Sequence, residues 1–401
     1  MQPRLTFDIS WRRLFWAAFG GADATPLPDA VAGLSVRTLF DAILSEAGLP
    51  SGAPVLMSGV NIQNMADLVR LHGLAPCFVD IAPSTLLPSA ENLLDTQART
   101  GAKLCLIAHL FGAHGPIESL EALRARGARV VEDLAQGFSP EALAATSQAD
   151  VTLFSFGPIK RRTALGGALA RFRDPRLAAR VQARQVDYPM LSDGWFRGRA
   201  GKYLGLKALS HPMLYGLVFA LAGRDPDAVI GKLARGFSGD DLLGNIRRRP
   251  PPRLLALLAR QIAEDLALVD RRQICEAFLA GLPGGFCIGG AASSHVHWLF
   301  PLAVPDPDAF IGALRGHGFD ATRGATSLRA FTGTDSYAGA LMDQIIYLPH
   351  PADMDARARS RLRNATLQAL TGSQRQLGRI GVDAPGAATH HGGQDQAGQR
   401  Q

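Results

Sequence analysis

Three side chains in the first half of the sequence have the types and the order needed for chemistry on an amino group. Asp133 follows directly after the apolar run 130–131 and Glu132. Ser155 and Lys160 stand at, or just beyond, the end of the next apolar run. A carboxylate can pair with a positively charged ring, a hydroxyl can donate to an anionic group, and an amine can attack a carbonyl carbon. Lysines are few, which makes the amine easy to localise: Lys103, Lys160, Lys202, Lys207 and Lys232.

Pyridoxal 5′-phosphate (PLP) is the cofactor that uses such a trio. Its aldehyde condenses with a lysine amine as a Schiff base, its ring accepts an electron pair, and its phosphate needs donors. Asp133 beside the pyridine nitrogen favours the protonated ring, because an opposite charge stabilises the charged form. Lys160, once released, moves the proton between substrate and cofactor. Ser155 and main-chain N–H groups of a helix starting at 35–38 suit the phosphate dianion.

Two arginines, Arg161 and Arg162, follow the lysine directly. Like-charge repulsion from them would lower the pKa of the Lys160 amine. The alternative interpretation is that both arginines face solvent.

A scaffold for these residues is predicted between about 35 and 172, where apolar runs alternate with helical patterns. Strand–helix–strand repeats of this kind predict a parallel sheet with right-handed crossovers. Ligands bind such sheets beyond the carboxyl ends of the strands, where Asp133 and Ser155 lie. The predicted strands are 55–57, 77–79, 104–108, 128–132 and 151–156, and the predicted helices are 35–48, 62–72 and 116–126.

The rest of the chain predicts a helical middle section and a second α+β unit. Residues 175–250 are helical in pattern and end in the basic, proline-rich stretch 247–252. Then come helix 253–280, strand 296–304, helix 307–316, strand 344–348 and helix 353–370. We therefore predict an N-terminal segment (1–30), a large domain (31–250), a small domain (251–370) and a disordered tail (371–401). His390 and His391 in that tail are interpreted as solvated.

Composition indicates a soluble, globular chain with a basic surface. Hydrophobic residues make up 47% of the 401 residues, and the net charge is +7. No zinc spacing or RNA-binding signature accompanies that charge, which favours phosphorylated small molecules over nucleic acid as partners. The cysteines form no C-x-x-C pair, which indicates buried free thiols in a reducing compartment, taken to be the cytoplasm. They are Cys77, Cys105, Cys275 and Cys287.

Two apolar stretches raise the question of membranes. Residues 12–24 loosely imitate a secretory signal, but Asp8 lies before the basic pair and the run is short, so we expect no cleavage. Residues 212–222 are too few to span a bilayer. A buried helix, for example at a subunit contact, is the favoured interpretation of that stretch, and docking on a membrane surface is the alternative.

Several motifs, in order, resemble those of the DegT/DnrJ/EryC1/StrS aminotransferases. Residues 132–136 (Glu-Asp-Leu-Ala-Gln) resemble the family's E-D-x-A-Q, and residues 154–160 resemble its F-S-F-x-x-x-K. Residues 75–81 resemble G-A-x-P-V-F-V-D-V, and residues 108–112 resemble V-H-L-Y-G. The resemblance covers roughly residues 30–175.

The resemblance implies an α/β protein of PLP-dependent transferase fold type I. Such a protein has a large domain with a mainly parallel central sheet flanked by helices, plus a smaller C-terminal α+β domain. It also implies a homodimer that moves an amino group from glutamate or glutamine to a keto sugar, usually nucleotide-linked, in polysaccharide or secondary-metabolite biosynthesis. The implied roles are Lys160 for catalysis, Asp133 for the pyridine nitrogen, Gln136 for the ring-oxygen side, and Ser155, Val36 and Arg37 for the phosphate.

Departures from the family pattern leave alternatives open. Val36 replaces a glycine of the phosphate turn, no residue of 60–62 is aromatic, and no Asn-Tyr-Arg segment follows 187–189. One alternative is a PLP-binding member that has lost transaminase activity and has a dehydratase-like, regulatory or partner-binding role. Another, a nicotinamide-dependent oxidoreductase, lacks the G-x-G-x-x-G fingerprint. Candidates for an anionic substrate are Arg323, Arg329 and His297.

Overall fold

A seven-stranded sheet forms the centre of the computed structural model. The model describes residues 1–4, 6–21, 27, 29–144, 148–221, 227, 241–263, 268–286 and 288–380. Its strands are β1 (Val31–Gly33), β2 (Pro54–Ser58), β3 (Val60–Ile62), β4 (Ala75–Val79), β5 (Leu104–Ala108), β6 (Ala113–His114), β7 (Arg129–Asp133), β8 (Val151–Ser155), β9 (Ala168–Phe172), β10 (Ser294–His295), β11 (Phe300–Ala303), β12 (Leu328–Ala330) and β13 (Ile345–Leu348).

The order across the central sheet is β1-β9-β8-β7-β5-β2-β4. Neighbours from β4 to β8 run parallel, whereas β9 runs antiparallel to both β8 and β1. The mainly parallel α/β sheet predicted from the sequence is confirmed. β1 and β9 were not predicted: β1 is only three residues long, and β9 alternates alanine with Leu169 and Arg171 rather than forming a continuous apolar run.

Helices cover both faces of this sheet, which explains why its strands are apolar without alternation. In β5, Leu104 and Leu106 pack on one face with the helix Val36–Glu46, while Cys105 and Ile107 pack on the other with the helices Ala90–Thr100 and Leu120–Ala125. The other helices are Trp11–Phe19, Gln63–Leu71, Pro140–Ala144, Pro175–Val186, Asp193–Leu209, Pro212–Leu221, Leu242–Ile246, Pro252–Ala263, Leu268–Leu279, Pro307–Gly316, Tyr337–Gln344 and Ala356–Ile380.

A smaller α+β unit follows in the second half of the chain. β11 pairs with β13, and both pack with the helices Pro307–Gly316 and Ala356–Ile380 in one cluster. Strand β11 is shorter than the predicted 296–304, since positive φ at His297 (45°) interrupts an extended path. Within the predicted helix 253–280, the described residues form the helices Pro252–Ala263 and Leu268–Leu279.

The last helix reaches Ile380 and so extends into the segment 371–401 that was expected to be disordered. The added turns contain two glutamines, two arginines and one leucine, and these residue types favour helix. The remainder of the predicted tail, with His390 and His391, lies outside the described residues.

The helix Trp11–Phe19 packs against the helix Asp193–Leu209 through a small-residue face. Leu14, Ala17 and Ala18 are buried there with Phe196 and Ala200. Close approach is possible because alanine leaves room for the facing ring.

The sequence predicted that residues 212–222 form a buried helix, but most of the apolar side chains of the helix Pro212–Leu221 are exposed in this chain. Tyr215 is buried in it, whereas Met213 and Leu221 are 79% and 78% exposed. Among the described residues no single helix is long and apolar enough to cross a bilayer. The pair Asp193–Leu209 and Pro212–Leu221 passes by length and composition together, but with a bend of 92° between the two helices.

We predict that Phe154→Ala destabilises the fold by about 3–5 kcal/mol, because it leaves a cavity under the sheet. Phe154 is fully buried and meets Phe138 edge-on, with ring centroids 5.9 Å apart. Chemical denaturation measures the change. The control Leu71→Ala, at a side chain 54% exposed, should shift the free energy of unfolding by no more than about 0.5 kcal/mol.

Candidate active site

The carboxyl ends of β5, β7 and β8 meet at one edge of the sheet, and the candidate residues lie there. Asp133 is in register with Ala108 of β5 and with Leu153 of β8. The His109 N–H donates to the Asp133 carbonyl at 3.0 Å. Asp133 therefore ends its strand between the segments that carry His109 and Ser155.

A helix N-terminus faces the same edge. Gly33 of β1 and Ser155 of β8 both pair with Ala168 of β9, and since β9 is antiparallel to each, β1 and β8 run in the same direction. The helix Val36–Glu46 therefore starts at the edge where Ser155 lies. The Ser35 hydroxyl caps this helix by accepting the Thr38 N–H at 3.2 Å.

Lys160 lies in the turn after β8, where its N–H donates to the Gly157 carbonyl at 2.9 Å. Its Nζ lies 3.6 Å from the ring centroid of Trp298, which comes from the second half of the chain. The Trp298 indole N–H donates to the Ile159 carbonyl at 2.6 Å, which fixes the ring beneath the amine. Trp298 thus both ties down the turn and forms one wall around the Lys160 side chain.

The Lys160 amine titrates close to physiological pH. Burial lowers its pKa to about 7, the Asp133 charge opposes that shift, and the Arg37 charge adds to it. Lys160 therefore lies within electrostatic reach of both Asp133 and Arg37. Residues from β7, from the turn after β8 and from the helix Val36–Glu46 converge on this amine.

Burial has the opposite effect on Asp133, because its charged form is the anion. Desolvation raises the pKa of its carboxyl, against the Ala135 N–H at 2.9 Å and the charges of Lys160 and His109. The buried Asp133 carboxyl and the buried Lys160 amine thus shift each other's pKa.

Glu132 points into a neighbouring pair of histidines. Its Oε1 lies 2.9 Å from His109 Nε2 and 3.7 Å from His114 Nε2. Burial raises the pKa of Glu132, but the interactions with both histidines outweigh it and bring that pKa to about 2. The permanent carboxylate holds the His109 ring beside Asp133.

Ser155, Gly157 and Lys160 enclose a small space in the turn after β8. A Cβ added to Gly157 would lie 3.7 Å from both the Ser155 hydroxyl oxygen and the Lys160 Cγ. A larger side chain at 157 would fill this space. Val36 at the facing helix start is 7% exposed, so its side chain turns into the core and leaves its main chain at the edge.

Gln136 links this edge to the loop after β5. Its side-chain oxygen accepts the Phe111 N–H at 2.7 Å, and Phe111 has a positive φ of 58°. The Gln136 side chain thus stabilises a strained turn beside the site.

Two interpretations of charged residues near the site are wrong. Arg161 and Arg162 are buried, with Arg161 Nη1 3.5 Å from the Asp8 carboxylate, and the like charge that acts on Lys160 is Arg37. His297 is also buried; burial lowers its pKa to about 4, so it is uncharged at neutral pH and does not suit an anion.

The other two candidates for an anionic substrate are exposed and share a cavity. Arg323 and Arg329 line a space of about 390 Å³ together with Thr332 and Asp343. Arg329 belongs to β12, which pairs with β3 just after the carboxyl end of β2. Through β3, this cavity lies on the side of the sheet where the parallel strands end.

Sequence reasoning missed Trp298 and gave no role to His109. Trp298 was hidden inside a predicted strand, and its contact with Lys160 joins segments far apart in the chain. His109 was visible in the motif 108–112, but only the fold brings its ring between Glu132 and Asp133.

Comparison with known proteins agrees with this geometry. The fold is that of PLP-dependent transferases of fold type I. Residues 37–194 match the model of the DegT/DnrJ/EryC1/StrS aminotransferase family, and this segment contains Asp133 and Lys160. The resemblance predicted from the sequence is confirmed.

Solved structures support the same fold over most of the chain. The aminotransferase TlmJ from Streptoalloteichus hindustanus is 17% identical, with a TM-score of 0.62, covering 92% of this chain and 93% of that one. The sugar aminotransferase CalS13 from Micromonospora echinospora is 18% identical (TM-score 0.59, 91% and 99%). NtdA from Bacillus subtilis, with bound cofactor PMP, is 18% identical (TM-score 0.59, 85% and 73%).

We predict that Lys160 becomes reactive toward an acylating reagent as the pH rises through about 7. Nα-acetyl-lysine in the same reaction mixture, whose side-chain amine is free, should react only as the pH approaches the ordinary lysine pKa of about 10.4. Removing the opposite charge in Asp133→Asn should move the Lys160 midpoint to lower pH. Removing the like charge in Arg37→Gln should move it to higher pH. Mass spectrometry of the Lys160 peptide measures both, and shifts in the reverse directions would contradict the site geometry.

Proposed function

We propose that this chain is a PLP-dependent aminotransferase that moves an amino group from glutamate or glutamine to a keto sugar. A nucleotide-linked sugar is the proposed form of the acceptor, and polysaccharide or secondary-metabolite biosynthesis the proposed context. The observation that carries the proposal is the buried Lys160 amine between the charges of Asp133 and Arg37. When bound, PLP supplies an electron sink for the charge that develops at the substrate carbon.

Lys160 has the proton affinity that this reaction needs. An amine with a pKa near 7 is unprotonated in about half of the molecules at neutral pH, so a large fraction is available for covalent attachment. The same proton affinity lets it accept a proton from a substrate carbon and return it elsewhere. We therefore assign Lys160 both the anchoring and the proton-transfer role.

Asp133 is the proposed partner of the pyridine nitrogen. Its pKa is raised by burial, which brings its proton affinity closer to that of a ring nitrogen and strengthens a shared hydrogen bond. His109, held by Glu132, supports the carboxylate from the other side. Gln136 is proposed to lie on the ring-oxygen side.

Ser155, Val36 and Arg37 are the proposed phosphate site. Helix N-termini attract anions through their free N–H groups, and the helix Val36–Glu46 starts at the correct edge. The space beside Gly157 leaves the Ser155 hydroxyl accessible from that side. Arg37 supplies the positive charge.

Arg323 and Arg329 are proposed to bind the anionic part of the acceptor, since both line the cavity next to β3. We further propose a homodimer in the cytoplasm. Free thiols at Cys77, Cys105 and Cys275 are consistent with a reducing compartment.

We predict that Lys160→Ala abolishes the visible absorption of the lysine-linked cofactor and slows transamination by about 10²-fold or more, because anchor and proton carrier are both lost. Spectra of purified protein with added PLP, followed by mixing with glutamate, measure the two effects. Lys103→Ala, at an exposed lysine bonded to the Arg126 carbonyl, is the matched control and should behave like wild type. Wild-type protein that takes up PLP yet converts no amino donor would favour the non-transaminating alternative.

We predict that Ser155→Ala weakens PLP binding roughly tenfold or more, because a hydrogen bond to a charged group is lost. Equilibrium dialysis with PLP gives the dissociation constant. Pyridoxal, which lacks the phosphate, should bind wild type and variant equally. An equal loss for both ligands would argue against a phosphate contact.

A further inference from the structure

A second surface of this protein exposes large apolar side chains that no part of the proposed reaction uses. In the helix Trp11–Phe19, one face carries three aromatic residues at helical spacing: Trp11, Phe15 and Phe19, exposed by 45%, 52% and 73%. Their rings form a ladder, with successive centroids 6.3 Å apart. The helix Pro212–Leu221 exposes Met213, Leu214, Leu217 and Leu221. We call these side chains, together with the exposed Leu209, the exposed apolar surface.

The N-terminal end of helix Trp11–Phe19 lies close to the end of helix Asp193–Leu209, just before helix Pro212–Leu221 begins. The Lys207 ammonium lies 5.6 Å from the Trp11 ring centroid, just before the chain turns into the second helix. The Met1 amino group lies 3.4 Å from the Pro212 carbonyl. Helix Trp11–Phe19 also packs along helix Asp193–Leu209, which leads directly into helix Pro212–Leu221.

The helices that carry this surface have an excess of cations, although Asp8 and Asp353 lie within electrostatic reach of Lys207. Helix Trp11–Phe19 contains cations and no acid, and the pair Asp193–Leu209 and Pro212–Leu221 contains Asp193 as its single acid. The cations are Arg12, Arg13, Arg197, Arg199, Lys202 and Lys207. Arg12, Arg197 and Lys202 are exposed to solvent.

We infer that this surface docks the protein on an anionic phospholipid bilayer. Exposed apolar patches beyond scattered single residues mark interaction sites. Aromatic and aliphatic side chains enter the headgroup region, while long basic side chains reach anionic headgroups beside them. A second copy of the chain fits this surface poorly, because it would bring two cationic faces together.

The bend between the two helices suits docking rather than crossing. At 92°, helix Asp193–Leu209 and helix Pro212–Leu221 do not form one straight span. Buried contacts of Phe196, Ala200 and Tyr203 also fix the first of them to the fold. The short second helix is left to insert its apolar face at the depth of the headgroups.

The test uses the full-length protein and vesicles. Flotation with phosphatidylcholine vesicles containing phosphatidylglycerol should carry the protein upward, whereas pure phosphatidylcholine should carry little. High salt should weaken binding, because it screens the headgroup charge. Two paired variants probe the surface: Phe15→Ser with Phe19→Ser, and Leu217→Ser with Leu221→Ser. Each pair should lower the partition coefficient roughly tenfold or more.

A matched control removes equally exposed apolar side chains elsewhere. Leu71→Ser with Val186→Ser, at positions 54% and 58% exposed, should leave vesicle binding unchanged. Arg197→Gln with Lys202→Gln should weaken binding to anionic vesicles only. Cofactor uptake measured in the same samples reports on the site at Lys160 independently of membrane binding.

Three results would overturn the inference. Wild-type protein that stays in solution with anionic vesicles is one, and surface variants that float like wild type are another. The third is light scattering that gives a dimer mass for wild type and a monomer mass for the surface variants, without vesicle binding. That outcome would assign the surface to a second copy of the chain.

Discussion

Burial of an amine between opposite and like charges is the interaction on which the site depends. An exposed lysine would be protonated at neutral pH and unable to act as a nucleophile. Removal from water brings the pKa of Lys160 down to about 7, while Asp133 prevents a larger shift. The balance requires three segments to meet: the end of β7, the turn after β8 and the start of the helix Val36–Glu46.

The parallel sheet is what makes that meeting possible. Parallel strands present their carboxyl ends at one edge, so residues that follow consecutive strands become neighbours. Strand β9 runs antiparallel to both β8 and β1, so β1 runs in the same direction as β8 and ends at the same edge of the sheet. An acid, a hydroxyl and a helix start are thereby held on rigid elements, and Glu132 and Trp298 fix the side chains that face them.

The same fold leaves a second face with a different physical character. Helix Trp11–Phe19 uses its small residues for packing and turns its aromatic residues outward. Helix Pro212–Leu221 buries Tyr215 and exposes most of its leucines. Apolar exposure on this scale costs free energy in water, which makes a covering phase of lipid a physical explanation for it.

The sequence by itself determined the mainly parallel sheet and placed Asp133, Ser155 and Lys160 at, or just beyond, the ends of neighbouring strands. Local patterns suffice for these, because apolar runs and motif order depend on neighbours in the chain. Tertiary structure decided that Trp298 lies beneath Lys160, that Arg37 rather than Arg161 or Arg162 acts on the amine, and that His297 is buried. It also decided that residues 212–221 face outward. Each of these depends on contacts between distant segments, and hydrophobicity along the chain does not specify which face of a helix finds a partner.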